Sequence, residues 1–270
     1  MPSSRPPSAG HPSDDDPITQ VAFRVVTTAT TDDERLNEGI ERILVVVAHP
    51  DDVDFGASGT VATWTDAGIH VTYCLCTDGQ AGGFDLTTPR AEIAKIRREE
   101  QTNAAKVVGV TELRFLGGMD GELEANRQLV RDITAVIRDV RPQRVMIPSP
   151  ERDWSRIGRS HPDHLAAGEA AIRAIYPAAR NPFAFPDLLE QGLEPWTVRQ
   201  TWVMAHREVN QYIDVTDVFD RKLAAILAHV SQHPDPAAIE PRMRGFLAAN
   251  AQAAGWPDRL SEAFFATETG

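Results

Sequence analysis

Between residues 43 and 215, short apolar runs alternate with amphipathic segments, and this alternation limits the fold more than any other feature of the chain. The runs lie at 43–48, 69–76, 112–116, 144–148 and 199–205, with a weaker one at 211–215. Between them, Ser58–Ala67, Ala91–Val108, Ala125–Val140 and Pro162–Ala174 read as helices. A parallel strand pair needs a long crossover, usually a helix, so the pattern predicts βαβ units and an α/β fold with a mostly parallel sheet. Thr216–Val230 and Pro236–Ala253 add two late helices with no strand expected between them.

The first residues, "MPSSRPPSAGHPSDDD", are rich in Pro, Ser and Asp and nearly devoid of apolar groups, so 1–17 is expected to be a disordered tail and 18–270 a single domain. Residues 177–198 contain four prolines, Pro177, Pro182, Pro186 and Pro195, and read as a long loop or flap that helps shape a pocket. The net charge of −12 disfavours nucleic acid or an anionic membrane as partner. The longest apolar run is far short of a membrane span, and no signal segment opens the sequence, so a cytoplasmic location is expected. Cys74 and Cys76, two apart on one strand, share a face and read as buried thiols in a reducing compartment.

Chemistry concentrates in two places. "HPDD" at 49–52 follows the first expected strand, and "SHPDH" at 160–164 follows the fourth and opens a helix. Loops after the carboxyl ends of parallel strands form the ligand crevice of an open sheet, so both clusters fall on one edge. His49 and Asp52 are three apart, as are His161 and His164, which places each pair on one side of a helical turn whose first position suits proline. A lone "HPDD" reads more often as a capped turn; two such clusters on one sheet edge point to a metal, which would neutralise carboxylates that are costly to bury. Two histidines and a carboxylate with an open position form a catalytic zinc set. The other His-Pro pairs, at His11 and His233, read as idle: one lies in the tail, and the other has Pro236 where a second ligand would stand.

With these blocks, the chain resembles the LmbE/PIG-L family of zinc-dependent de-N-acetylases. "VVAHPDDVDFGASGT", "TDGQAGG", "RREEQTNAAKVVGV", "FLGGMDG", "SHPDH" and "DRKLAAILAHVSQ" appear in the family's order across residues 43–232. The resemblance implies a Rossmann-like three-layer sandwich with C-terminal helices. It implies one zinc ion held by His49, Asp52 and His164, although the same donors also accept iron or manganese. It makes Asp51 the general base and His161 the residue that stabilises the oxyanion or assists proton transfer. Arg97 and Asp120 would contact sugar hydroxyls, and Asp163 would orient a ligand histidine from behind, unless it merely caps the helix. Asp54 and Gln80 depart from the glutamates common at those places. The implied activity is removal of an N-acetyl group from a small molecule containing N-acetylglucosamine, in a possible homo-oligomer. An amidase of thiol–sugar S-conjugates and a catalytically silent sugar-binding member stay open as alternatives. The missing G-x-S-x-G and G-x-G-x-x-G patterns disfavour a serine hydrolase and a dinucleotide binder.

Overall fold

A computed structural model describes residues 36–270. The expected tail at 1–17, with His11, lies outside them. Among the described residues the strands are β1 (Arg42–Val47), β2 (His70–Thr77), β3 (Glu112–Gly118), β4 (Arg144–Pro148), β5 (Gln200–Met204), β6 (Gln211–Asp214) and β7 (Ser261–Glu268). The helices are α1 (Asp52–Gly56), α2 (Ser58–Asp66), α3 (Arg90–Val107), α4 (Arg127–Val140), α5 (Pro162–Arg173), α6 (Pro186–Glu190), α7 (Phe219–Leu227) and α8 (Ile239–Ala253).

One sheet has the order β3-β2-β1-β4-β5-β7-β6. The first five strands in that order are parallel, and β7 runs antiparallel between β5 and β6. Alternate residues of β1 divide between two cores: Ile43, Val45 and Val47 join Trp64, Ala105, Ile226 and Leu247 on one face, and Leu44 and Val46 join Ile133, Ile137, Ala171 and Leu188 on the other. Helices therefore cover both faces of a sheet whose central strands are buried, giving the three layers expected of a parallel sheet. Cys74 and Cys76 are both buried on the second face as free thiols.

Strand β7 was not expected. Its sequence, SEAFFATE, pairs Phe265 with Val203 and Glu262 with Ile213, and so closes the sheet between two predicted strands. The 177–198 segment also differs from the expected flap. It carries α6, buries Phe185 and Leu188, and is tied down by Arg138. That guanidinium donates to the carbonyls of Ala178, Ala179, Asn181, Ala184 and Leu193. With its backbone so engaged, the segment is structural.

The order of the parallel strands reverses at β1 and β4, which pair directly. At such a switch point the loops leaving the two strands diverge and open a crevice. His49 follows β1, and His161 and His164 follow β4.

Candidate metal centre and active site

The two clusters meet, though not by the same local geometry. In the second, His161 is the N-cap of α5: its Nδ1 accepts the Asp163 N–H at 3.2 Å, and Pro162 takes the first helical position. In the first, the helix begins only at Asp52, and Asp51 caps it in the left-handed region at φ 92°. His49 and Asp52 are thus joined by a tight turn instead of helical spacing, closed by the His49 N–H donating to Asp52 Oδ2 at 2.8 Å. Left-handed backbone at a non-glycine residue is strained, and here neighbours hold it. The Asp51 N–H donates to Gln101 Oε1 at 2.8 Å, while Arg97 donates to the Pro50 carbonyl, to Asp51 Oδ2 at 2.9 Å and to the Gly79 carbonyl at 3.0 Å. Gly79, at φ 65°, is required there, since a Cβ would stand 2.4 Å from Arg97 Nη1.

The His49 ring separates two environments. Its Nδ1 lies 3.3 Å from His164 Nε2 and 3.6 Å from Asp52 Oδ2, and His164 Nε2 lies 3.0 Å from Asp52 Oδ1. A tetrahedral cation with bonds of about 2.0–2.1 Å spaces its donors about 3.3 Å apart; the two imidazole nitrogens meet that spacing and each faces a different oxygen of the Asp52 carboxylate, so these three side chains could hold one. On the other edge, His49 Nε2 faces Asp163 Oδ2 at 3.0 Å and Asp120 Oδ1 at 3.2 Å. Those carboxylates also accept backbone N–H groups, Asp163 from Gly121 and Leu123 and Asp120 from Ala81. His49, Asp120 and Asp163 also lie close enough to surround an ion, but all three are buried. The carboxylates there do what is needed to fix a ligand imidazole: they accept Nε2–H and leave the Nδ1 lone pair facing Asp52 and His164. Asp163 therefore backs His49, and the capping role falls to His161.

The electrostatics fit a cation site. Burial opposes charge on His49, yet hydrogen bonds to Asp120 and Asp52 push it up to about 11. Burial likewise opposes charge on Asp52 and His164, but each stabilises the other, lowering the carboxylate and raising the imidazole. A bound cation would displace these protons. Asp51 differs: burial pushes it up to about 6, with Arg97 pulling the other way.

The His161 ring stands 5.1 Å from the His49 ring and 5.5 Å from that of His164, and it is exposed. Arg97 and Asp120 are only 4% and 9% exposed. Both Arg97 Nη atoms and the Asp120 carboxylate are engaged by Asp51, His49 and the backbone, and Arg97 Nε is buried, which leaves them little to offer a sugar hydroxyl. Gln101 and His229, which the sequence reading passed over, stand behind Asp51 together with Asp54, noted there only as a departure from glutamate. Gln101 Nε2 donates to Asp54 Oδ2 at 2.9 Å, and His229 Nε2 reaches the same oxygen at 2.8 Å. All three are fully buried. The only signal for them was polar residues at core positions of helical segments. His233 packs on Phe55 and donates to the Ile226 carbonyl, and it is not among the groups gathered at the centre.

A cavity of about 720 Å³ reaches the cluster at Asp52 and His164. Its other walls come from the β4–α5 loop, the end of β5 and α8, and no residue of 177–198 lines it. No described helix is long and apolar enough to cross a membrane.

The sequence model of the PIG-L family, described as GlcNAc-PI de-N-acetylase, matches residues 44–175. The chain is 34% identical over 206 residues to a diacetylchitobiose deacetylase of Thermococcus kodakarensis, covering 75% of each chain. It is 30% identical to a 1D-myo-inositol 2-acetamido-2-deoxy-alpha-D-glucopyranoside deacetylase of Rhodococcus erythropolis, covering 71% of this chain and 81% of the relative. Among solved structures, the N,N'-diacetylchitobiose deacetylase of Pyrococcus horikoshii superposes with a TM-score of 0.79 at 30% identity, over 86% of this chain and 85% of that one.

Proposed function

We propose that this chain, which belongs to the PIG-L/LmbE family of deacetylases, hydrolyses the N-acetyl group of a small molecule containing N-acetylglucosamine, with one divalent cation, zinc by preference, held by His49, Asp52 and His164. The observation that carries the reading is the convergence of two imidazole nitrogens, 3.3 Å apart, on the Asp52 carboxylate, whose two oxygens lie 3.0 and 3.6 Å from them, at a cavity wall and beside an ionisable carboxyl that is not one of them. A cation held there supplies Lewis acidity to a water or carbonyl oxygen.

The remaining chemistry falls to the chain's own groups. Hydrolysis adds water across the amide: the C–N bond breaks, the acyl carbon gains oxygen, and the nitrogen leaves with an added proton. Asp51 is placed to take the proton of the attacking water and deliver it to the departing amine, and a carboxyl pushed up to about 6 does both near neutrality. Arg97 and Gln101 hold it in place. His161 spends its Nδ1 lone pair on the α5 cap, which puts its proton on Nε2. That N–H can then donate to the oxyanion without the ring being charged.

The test is release of free amine and acetate, in equal amounts, from a panel of N-acetylated amino sugars by metal-reconstituted protein. Turnover of at least one member, abolished by a chelator and restored by the metal, is expected. A loaded protein that turns over none of the panel contradicts the reading.

A further inference from the structure

The cavity beyond the metal centre has a chemistry of its own. Helix α8 presents Arg242, Met243, Phe246 and Asn250 to it. Arg159, at the end of the 3₁₀ turn Ile157–Arg159, joins them: its guanidinium lies 5.2 Å from the centre of the Phe246 ring, and that of Arg242 lies 5.7 Å from the centre of the Phe55 ring. Neither arginine makes an ion pair within 4.0 Å among the described residues, although Asp153 lies near enough to Arg159 to act on its charge, in a chain of net charge −12. The acids that line the cavity are already engaged, Asp52 by His49 and His164, and Glu262 by Lys222 at 2.7 Å. The uncompensated charge facing the cavity is therefore positive.

The rest of the wall is mostly apolar, with Phe55, Met204, Val209 and Met243 among its residues. Its other polar side chains are engaged elsewhere: Asn250 donates to the Ser261 carbonyl, Ser149 accepts from the Glu151 N–H, and His206 Nδ1 accepts from the Glu208 N–H while its Nε2 lies 3.5 Å from Glu151. A cavity of about 720 Å³ takes a drug-sized molecule, larger than one monosaccharide. A second sugar ring placed here would bury hydroxyls with few partners, which is costly. An apolar group would not, and an anion on it would meet two unpaired guanidinium groups. Arg242 and Phe246 lie outside the residues matched by the family model, 44–175, and Arg159 lies within them, so only the α8 part of this wall falls outside that match.

We infer that the cavity receives the aglycone of the substrate, and that this aglycone is apolar and carries a carboxylate or phosphate recognised by Arg159 and Arg242. The inference rests on the deacetylase reading only for the placement of the sugar amide at the metal centre.

Kinetics of the full-length, metal-loaded protein on methyl, phenyl, para-carboxyphenyl and para-phosphonophenyl N-acetylglucosaminides test it, with N,N'-diacetylchitobiose alongside. The expected kcat/KM rises from methyl to phenyl, and by about tenfold more for an anionic phenyl glycoside, the better of the two anions identifying the group. In the Arg159→Gln/Arg242→Gln double variant the ratio of anionic to neutral phenyl substrate collapses toward one, through KM. Because the ratio is taken within one protein preparation, partial misfolding does not mimic that result. The inference is overturned if the neutral phenyl glycoside or N,N'-diacetylchitobiose is the better substrate, or if the double variant keeps the preference. Calorimetric binding of the same glycosides separates the two claims. Arginine-dependent preference for the anionic glycoside without hydrolysis refutes the deacetylase reading alone; equal binding of anionic and neutral glycosides refutes this one.

Discussion

The guanidinium of Arg97 meets the carboxylate of Asp51 at 2.9 Å while the same nitrogen also donates to the Pro50 carbonyl. One buried cation thus holds both the position and the charge of the group proposed as base. Asp51 works as a base only when ionised, so the rate is lost as pH falls through its pKa. Burial pushes that value up to about 6, Arg97 pulls it down, and a cation on the neighbouring Asp52 pulls the same way. The acid limb of kcat/KM is therefore expected at or below about 6, and Arg97→Met is expected to move it upward by roughly one unit. A pH profile of both proteins checks this; an unmoved limb removes Arg97 from the account.

Gln101 connects the strained Asp51 turn to the Asp54–His229 pair. Gln101→Leu keeps the volume near but frees the Asp51 N–H. Metal content is expected to stay near that of the parent. A displacement on the order of 1 Å at a reacting group costs about 10²-fold, so kcat is expected to fall by up to that factor with little change in KM. Steady-state kinetics with metal analysis decides: a loss confined to KM, or a loss of metal, would mean that Gln101 does not position the base.

Lys222 and Glu262 form an ion pair of 2.7 Å at 0% and 1% side-chain exposure. Glu262 also receives the N–H groups of Gly59 and Thr60 near the start of α2, and Lys222 donates to the Asp54 and Phe55 carbonyls. Lys222→Met leaves a buried carboxylate without its cation. A loss of about 3–5 kcal/mol in unfolding free energy is expected. Urea unfolding at neutral pH measures it, and a loss below about 1 kcal/mol would mean that solvent or another group replaces the lysine.

Much of this was legible in the chain. Apolar runs located six of the seven strands among the described residues, five of them parallel, because buried parallel strands read as continuous apolar runs. The seventh, β7, mixes Ser, Glu and Thr with its phenylalanines, since its end lies at the surface and Glu262 points at a lysine; such a pattern does not stand out. The histidine clusters were visible because they are local, each within five residues. Arg97 and Asp120 were singled out, but their partners were not readable: which groups they meet depends on how the β1, β2 and β3 loops converge. Gln101 and His229 lie 50 and 178 residues from Asp51, and only the packing of α3 and of the turn after α7 brings them together. The Pro-rich segment misled because composition does not show that Arg138 will pin its carbonyls.

The central claim is that one centre holds the metal and that an adjacent carboxyl, separate from the ligands, moves the proton. Turnover and bound metal measured together on Asp51→Asn and His164→Ala test it most directly. Asp51→Asn is expected to keep about one metal per chain and to lose about 10²–10⁴ in kcat, while His164→Ala loses both metal and activity. Near-parental turnover in metal-loaded Asp51→Asn, or stoichiometric metal in His164→Ala, would contradict the account.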